Sequence, residues 1–465
     1  MATIGKDLRK FLSSEQVLDL PEDVSAYAHD ATFYVAKRNP DAVVLPTSTE
    51  EVSSILKYAT ANKIPVVPRG AGSGLAGGCT PVHGGIVIDM KRMKKIVEID
   101  TKNLVAVVEG GLVLEKFVKT VEKMKLFYPP DPQSAQVCTI GGNIATRAGG
   151  PRGVKYGTTD RYVTGIEAVM PNGDVINPGG RFVKQASGYD LTHLFTGSEG
   201  TLCVITKGIL RLLPLPPAKR TMVVTCESAD QAAEIVSAII ARGTIPSMLE
   251  YLIKLGVMGM NNYITPPLPL TGEAYLLIEV DGNEGQIELE TEEIKATCNE
   301  LKAIDVRIVT DEKECATYWY ARSRLYSITT TLFKRVITED ITVPRNRFPE
   351  VVRAIQSISL SVGIGIGLAG HAGDGNIHPT ILMGEISEEV SRKADKAIEE
   401  LIKVCLELQG TISGEHGIGI HKSSFLELEH GAKQVEIMKS IKKTLDPLGI
   451  MNPGKIWNWK DGGNA

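Results

Sequence analysis

Ile64-Pro-Val-Val-Pro-Arg-Gly-Ala-Gly-Ser-Gly-Leu-Ala-Gly-Gly78 runs an apolar strand straight into a glycine-rich loop. Five of the nine residues from 70 to 78 are glycine, so backbone N–H groups there can converge on phosphate oxygens without obstruction by side chains. Within the loop, Gly72-x-Gly74-x-x-Gly77 formally matches the dinucleotide fingerprint. That fingerprint requires a helix to open after its second glycine. Here further glycines, Thr80 and Pro81 follow, and no helix can start. The stretch therefore reads as a phosphate-binding loop of another kind, against the plainer alternative of a structural turn.

Two more glycine clusters lie downstream. Thr139-Ile-Gly-Gly-Asn-Ile-Ala-Thr-Arg-Ala-Gly-Gly150 is followed by Arg152-Gly-Val-Lys-Tyr-Gly157, and Gly197-Ser-Glu-Gly-Thr-Leu-Cys-Val-Ile-Thr206 combines a turn with a strand. One such turn says little. Three between strands in one stretch point to an extended cofactor that bears phosphate. Around them, Ala42 to Leu45 reads as a buried strand, and Ser48-x-x-Glu51 as a capping box opening a helix through about Asn62. Pro214, Pro216 and Pro217 mark a domain boundary. Beyond it, Met222 to Cys226, Ala274 to Val280 and Val306 to Val309 read as strands, with helices over Ala229 to Arg242 and Glu284 to Leu301. Such strand–helix–strand units predict a ferredoxin-like sandwich, an antiparallel sheet with helices on one face. Val435 to Trp457 reads as a final helix running into an Asn452-Pro-Gly454 turn. The expectation is an α+β chain in three parts, with boundaries at 1–217, 218–425 and 426–465.

The second strong signal is Gly370-His-Ala-Gly-Asp-Gly-Asn-Ile-His378. Ser361 to Leu368 and Ile377 to Met383 look strand-like, and Asp374-Gly375 is a favoured hairpin dipeptide. With those two residues at the tip, His371 and His378 stand directly opposite on one face, close enough to share one metal ion. Gly410-Thr-Ile-Ser-Gly-Glu-His-Gly-Ile-Gly419 offers Glu415 and His416, adjacent residues that point different ways, so that one can be the third ligand while the other faces the substrate. The plain alternative is a set of histidines that satisfy a polar core. Zinc suits two imidazoles and a carboxylate with one position open; manganese or iron remain alternatives. His421, His29, His83, His193 and His430 read as structural.

Composition narrows the classes. A net charge of −4 without a long basic run argues against nucleic acid or an acidic membrane as partner. Met1 to Leu20 lacks a signal-peptide core, and the apolar stretch from Ser361 to Ala369 is half a membrane span, so a cytoplasmic protein without a transmembrane segment is expected. Seven scattered cysteines without a Cys-x-x-Cys pair suit buried thiols and offer no iron–sulfur motif.

The motifs PRGAGSGLAGG, PPDPQSAQVCTIGGNIATRAGG, YGTT and GSEGTLCVIT, in that order, resemble the FAD-binding domain of the vanillyl-alcohol-oxidase superfamily. The resemblance runs through essentially the whole chain and is strongest to the D-lactate dehydrogenase and glycolate oxidase catalytic-subunit branch. It implies a two-part FAD-binding domain with an α/β sandwich cap. It implies that Pro68, Arg69, Gly70, Ala71, Gly72, Ser73 and Gly74 cradle the pyrophosphate. Pro132, Ser134, Thr139, Gly142, Asn143, Gly149, Gly153, Tyr156, Gly157, Glu199, Gly200, Ile205 and Asn452 match positions around the FAD. Some members bind FAD covalently through a histidine where Ser73 stands here, so non-covalent FAD is expected. By the same resemblance His371, His378 and Glu415 hold a divalent metal, His416 is the base, and Arg322 in Trp319-Tyr-Ala-Arg322-Ser-Arg324 holds the substrate carboxylate. Relatives acting on dicarboxylic acids carry a lysine where Thr338 stands, which favours a monocarboxylate.

The expected activity is oxidation of a small D-2-hydroxy acid, D-lactate to pyruvate as first choice. Hydride would pass to flavin N5 and electrons onward to a protein acceptor such as an electron-transfer flavoprotein. Alternatives are a glycolate oxidase catalytic subunit or a non-catalytic FAD electron carrier. Sugar-nucleotide reductases and an ether-lipid synthase share the FAD fold, but the reductases do not carry the two-histidine hairpin or the Glu-His turn.

Overall fold

The computed structural model describes residues 2–32, 36 and 38–457. Its first sheet has the order β1-β2-β4-β3, built from β1 (Val17–Leu18), β2 (Ala42–Val44), β3 (Val66–Arg69) and β4 (Ile86–Asp89). Helix α1 (Thr49–Asn62) connects β2 to β3, and the Ser48 side chain accepts the Glu51 N–H as its N-cap. The Glu51 carboxylate accepts from Thr47 N rather than from Ser48, so the reciprocal bond of the capping box shifts by one residue. β3 and β4 pair in parallel, joined by the glycine loop with no helix in it, as the sequence requires.

The second sheet is antiparallel, with order β5-β6-β9-β7-β8. Its strands are β5 (Ile96–Asp100), β6 (Val105–Glu109), β7 (Val163–Val169), β8 (Val175–Ile176) and β9 (Val204–Arg211). Here the second glycine cluster departs from the expected turn. It forms a short helix, α2 (Ile140–Thr146), capped by the Thr139 hydroxyl accepting Gly142 N–H.

The cap is an eight-stranded antiparallel sheet. In chain order its strands are β10 (Ala218–Cys226), β11 (Met248–Ile253), β12 (Ala274–Gly282), β13 (Asp305–Val309), β14 (Arg335–Thr338), β15 (Ile341–Thr342), β16 (Gly365–His371) and β17 (Asn376–Met383). They lie in the order β13-β10-β12-β11-β16-β17-β14, and β15 also pairs with β17. Strand alternation divides the side chains. Met222, Val224, Leu249, Tyr251, Leu276 and Ile278 face one core, shared with helices α3 (Ala229–Ala241), α5 (Glu284–Glu300), α8 (Phe348–Val362) and α9 (Glu388–Glu407). The opposite face is covered as well, contrary to the one-sided sandwich expected. Val223, Leu252, Tyr275 and Leu277 pack there against α4 (Lys254–Met260), α6 (Glu312–Ser323) and α7 (Leu325–Leu332).

Three local expectations change. The stretch 361–368 is not one strand, because α8 continues to Val362 on buried Val351, Val352, Ile355, Ile358 and Val362, spaced to form one helical face. Gly363 caps it, and β16 starts at Gly365. The last helix, α10 (Leu426–Leu445), stops well before Trp457, since Pro447 cannot continue it. The chain then returns to the first sheet, where Met451 bridges Val66 and Asn452 N donates to Val66 O at 2.7 Å. Finally, Asp374 and Gly375 are not a two-residue tip. A 3-10 turn over Ala372–Asp374, closed by Gly375 at φ 84°, lengthens the loop, and His378 faces Ala369 rather than His371. Among the described residues no helix is long and apolar enough to cross a membrane.

Candidate active site

A cavity of about 500 Å³ runs between the glycine loops and the second face of the cap sheet. Residues 68–74, Pro132, Ser134, Thr139, Gly142, Asn143, Gly149, Glu199, Gly200 and Ile205 line it. At its cap end stand Arg322, Thr338, His378, Glu415 and His416. The loops are packed to leave this space. A Cβ on Gly70 would come within 2.4 Å of Thr139 Oγ1, so only glycine lets the first loop meet the second. Asn452 pins the assembly from the far end of the chain, its Nδ2 donating to Gly78 O at 2.8 Å and Glu199 O at 2.7 Å. The Glu199 carboxylate reaches across to accept N–H groups of Ile418 and Gly419, both at 2.8 Å, tying the third glycine cluster to the Glu-His turn.

Gly153, Tyr156 and Gly157 do not line the cavity. Their short helix faces the cap, where Tyr156 donates to Asp281 Oδ2 at 2.8 Å and Lys155 Nζ lies 2.6 Å from Asp281 Oδ1. Asn452 and His371 sit one layer behind the wall.

The three histidines converge despite the changed register. A slip of two residues keeps a side chain on its own face, because strand periodicity is two. His371 and His378 therefore still share a face, with ring centroids 5.1 Å apart. Glu415 Oε1 lies 3.3 Å from His371 Nε2, 3.4 Å from His378 Nε2 and 3.9 Å from His416 Nε2. The His378 and His416 rings stack, 5.1 Å between centroids. Two acids that sequence reading passed over hold this arrangement. Glu250, on β11, accepts from His371 Nδ1 at 2.6 Å, and its other oxygen lies 2.5 Å from Arg322 Nη2. Asp340 Oδ2 accepts the N–H groups of both Glu415 and His416 at 2.8 Å, while Oδ1 accepts from Asn376 Nδ2. Each is an acid inside an apolar run, Met248-Leu-Glu-Tyr-Leu-Ile253 and Val336-Ile-Thr-Glu-Asp-Ile-Thr-Val343, and that pattern is the signal that could have found them. Arg322 is 2% exposed, whereas Arg324 lies nearer the surface on Gln136. His421 pairs with Glu339 at 2.7 Å, away from the convergence point.

The charges follow from these contacts. Burial pushes the carboxyls of Glu415 and Asp340 up, but neighbouring imidazoles outweigh it, with Lys422 and backbone N–H donors adding at Asp340; both stay below the usual range. Burial lowers His371, yet Glu250 and Glu415 at its two nitrogens raise it well above an ordinary histidine. His416 goes the other way: burial and its neighbour His378 outweigh Asp340, so it is a neutral imidazole at neutral pH.

The site fits the groups its shape suggests. His371, His378 and Glu415 offer ligand atoms within 4.8 Å of one another. Tetrahedral zinc sites place such atoms about 3.3 Å apart, given bonds of 2.0–2.2 Å. The Glu250 carboxylate on His371 Nδ1 supplies the outer hydrogen bond that metal-ligating histidines use. On the cofactor side, the buried Asn143 Nδ2 has no hydrogen-bond partner among the described residues, beside the cavity.

Known proteins agree with this architecture. Residues 40–179 match the FAD binding domain family, and residues 215–456 match the C-terminal domain of FAD linked oxidases. The chain is 42% identical to the glycolate oxidase subunit GlcD of Bacillus subtilis, over 93% of this chain and 92% of that protein. It is 38% identical to the D-lactate dehydrogenase of Archaeoglobus fulgidus, over 89% and 90% respectively. Among solved structures, p-cresol methylhydroxylase superposes with a TM-score of 0.82 at 19% identity, over 98% of this chain and 97% of that one, a likeness of fold. The protein belongs to the FAD-linked oxidase family and is an FAD-dependent oxidoreductase whose fold is that of the vanillyl-alcohol-oxidase superfamily.

Proposed function

We propose that the chain oxidises a small D-2-hydroxy acid to the 2-oxo acid, with D-lactate as the first candidate and glycolate as the second. The observation that carries this is the convergence of three imidazole nitrogens on Glu415 Oε1, beside a buried arginine, at one end of the long cavity. Relatives named D-lactate dehydrogenase and glycolate oxidase support the substrate class; the 42% identity to a glycolate oxidase subunit keeps glycolate in view.

When bound, FAD supplies a two-electron acceptor and a divalent cation on His371, His378 and Glu415 supplies the Lewis acidity that eases loss of the hydroxyl proton. Arg322 holds the substrate carboxylate through its guanidinium, a donor set matched to two carboxylate oxygens. Thr338 and Thr380, whose hydroxyls lie 3.2 Å apart, put hydroxyls rather than a cation on this part of the wall, which suits a monocarboxylate. His416 receives the hydroxyl proton at Nε2, the nitrogen that faces Glu415. Asp340 Oδ2, 4.0 Å from His416 Nδ1, steadies the imidazolium that results. The carbon-2 hydrogen leaves with two electrons, and these pass on to a protein acceptor such as an electron-transfer flavoprotein. That some relatives are named as a subunit supports a partner of this kind.

The test is anaerobic stopped-flow absorbance with D-lactate, L-lactate, glycolate and D-2-hydroxyglutarate, before and after chelation. D-Lactate or glycolate is expected to bleach the visible flavin band, chelation to abolish bleaching, and added metal to restore it. No bleaching by any of these acids, with FAD and metal bound, overturns the reading. Ser73 lines the first loop where a covalent attachment would stand, so acid precipitation is expected to release the yellow cofactor into the supernatant. Colour retained in the pellet would mean a covalent link.

A further inference from the structure

Glu250 has no exposed surface and lies at the heart of β11, opposite His371 in the strand register. Its two oxygens serve different masters. Oε1 takes the hydrogen of His371 Nδ1, because an ionised carboxylate only accepts, and this leaves Nε2 pointing at Glu415. Oε2 lies 2.5 Å from Arg322 Nη2. Among the described residues no hydrogen bond holds Arg322 Nε or Nη2, so the ion pair with Glu250 is what fixes the guanidinium. A buried carboxylate persists in a fold only when it is paired. Here one partner, Arg322, lines the cavity, and the other, His371, sits just behind it within the cluster around Glu415.

We propose that Glu250 is a positioning residue that uses one carboxylate to set both the arginine for the substrate carboxylate and the metal-facing nitrogen of His371. This rests on the function proposed above. It follows that metal affinity and substrate affinity are set together, by a residue that touches neither the substrate nor the cofactor.

Glu250→Gln keeps the shape and one acceptor but loses the charge. The holoenzyme and its variant are compared in two readouts: Zn²⁺ affinity by chelator competition, without turnover, and steady-state kinetics with whichever of D-lactate and glycolate the parent oxidises. The variant is expected to bind Zn²⁺ about 10–100-fold more weakly, as outer-sphere partners of metal ligands do. With Zn²⁺ saturating, kcat is expected to recover while KM stays about tenfold higher, the equivalent of one weakened charge-assisted hydrogen bond. Unchanged Zn²⁺ affinity, or a KM that returns to the parental value with Zn²⁺ saturating, overturns the proposal. If the glutamine variant does not fold, Glu250→Asp keeps the charge but is one methylene short of spanning both partners; the same readouts and criteria apply. The parent run alongside separates the two levels. A parent that binds no Zn²⁺ or oxidises neither acid overturns the proposed function, and this inference with it. A competent parent beside an indifferent variant overturns only the role of Glu250.

Discussion

Replacing His416 by asparagine is expected to lower kcat for 2-hydroxy-acid oxidation on the order of 10²–10⁴-fold, the usual loss when a positioned general base is removed. Bound FAD and bound metal should both remain, because His416 is the outermost of the three imidazoles around Glu415 Oε1, at 3.9 Å against 3.3 and 3.4 Å. Single-turnover flavin reduction under anaerobic conditions measures the chemical step directly. The pH dependence gives a second handle. Burial depresses the His416 pKa, so its neutral, proton-accepting form persists to lower pH than for a free histidine. In the parent, kcat/KM is expected to stay flat through the ordinary histidine range and fall only at more acidic pH, as His416 takes up its proton. A variant that keeps parental kcat would remove His416 from the mechanism.

Arg322→Met is expected to act on both function and stability. Losing the buried guanidinium proposed to hold the substrate carboxylate should reduce kcat/KM on the order of 10²–10³-fold, mostly through KM. It also strands Glu250, which has no exposed surface and loses its buried guanidinium partner while keeping His371. Breaking one side of such a buried pair costs about 3–5 kcal/mol, readable in urea unfolding followed by flavin fluorescence and circular dichroism. Adding Glu250→Gln to the same chain should return most of that stability, because no charge is left unpaired. It should return none of the kcat/KM. If the double variant is no more stable than Arg322→Met, the stability loss comes from packing around α6 rather than from the stranded charge.

The glycine loops were legible because they are a property of local chemistry. Five glycines between 70 and 78 leave an open backbone whatever follows, and the proline and glycines after them forbid the Rossmann-type helix. The Thr139 cluster was harder. Its glycines read as a turn, yet Thr139 supplies a cap and Ile140 and Ile144 a buried face, and tertiary packing makes it a helix. The stretch 361–368 failed for a similar reason: a short apolar run does not distinguish the end of a buried helix from a strand until its neighbours are known.

What the sequence determined by itself was the chemistry available and the faces on which it would lie. His371 and His378 share a face under either hairpin register, because a two-residue slip leaves strand parity intact. The motifs alone were enough to identify an FAD domain joined to an oxidase cap. Only the tertiary structure decided which buried acids would hold that chemistry in place. Glu250 comes from a strand 121 residues before His371, and Asp340 from the link between β14 and β15, 75 residues before Glu415. No local pattern specifies such partners, since their pairing is fixed by sheet register and by the need of each buried carboxylate for donors.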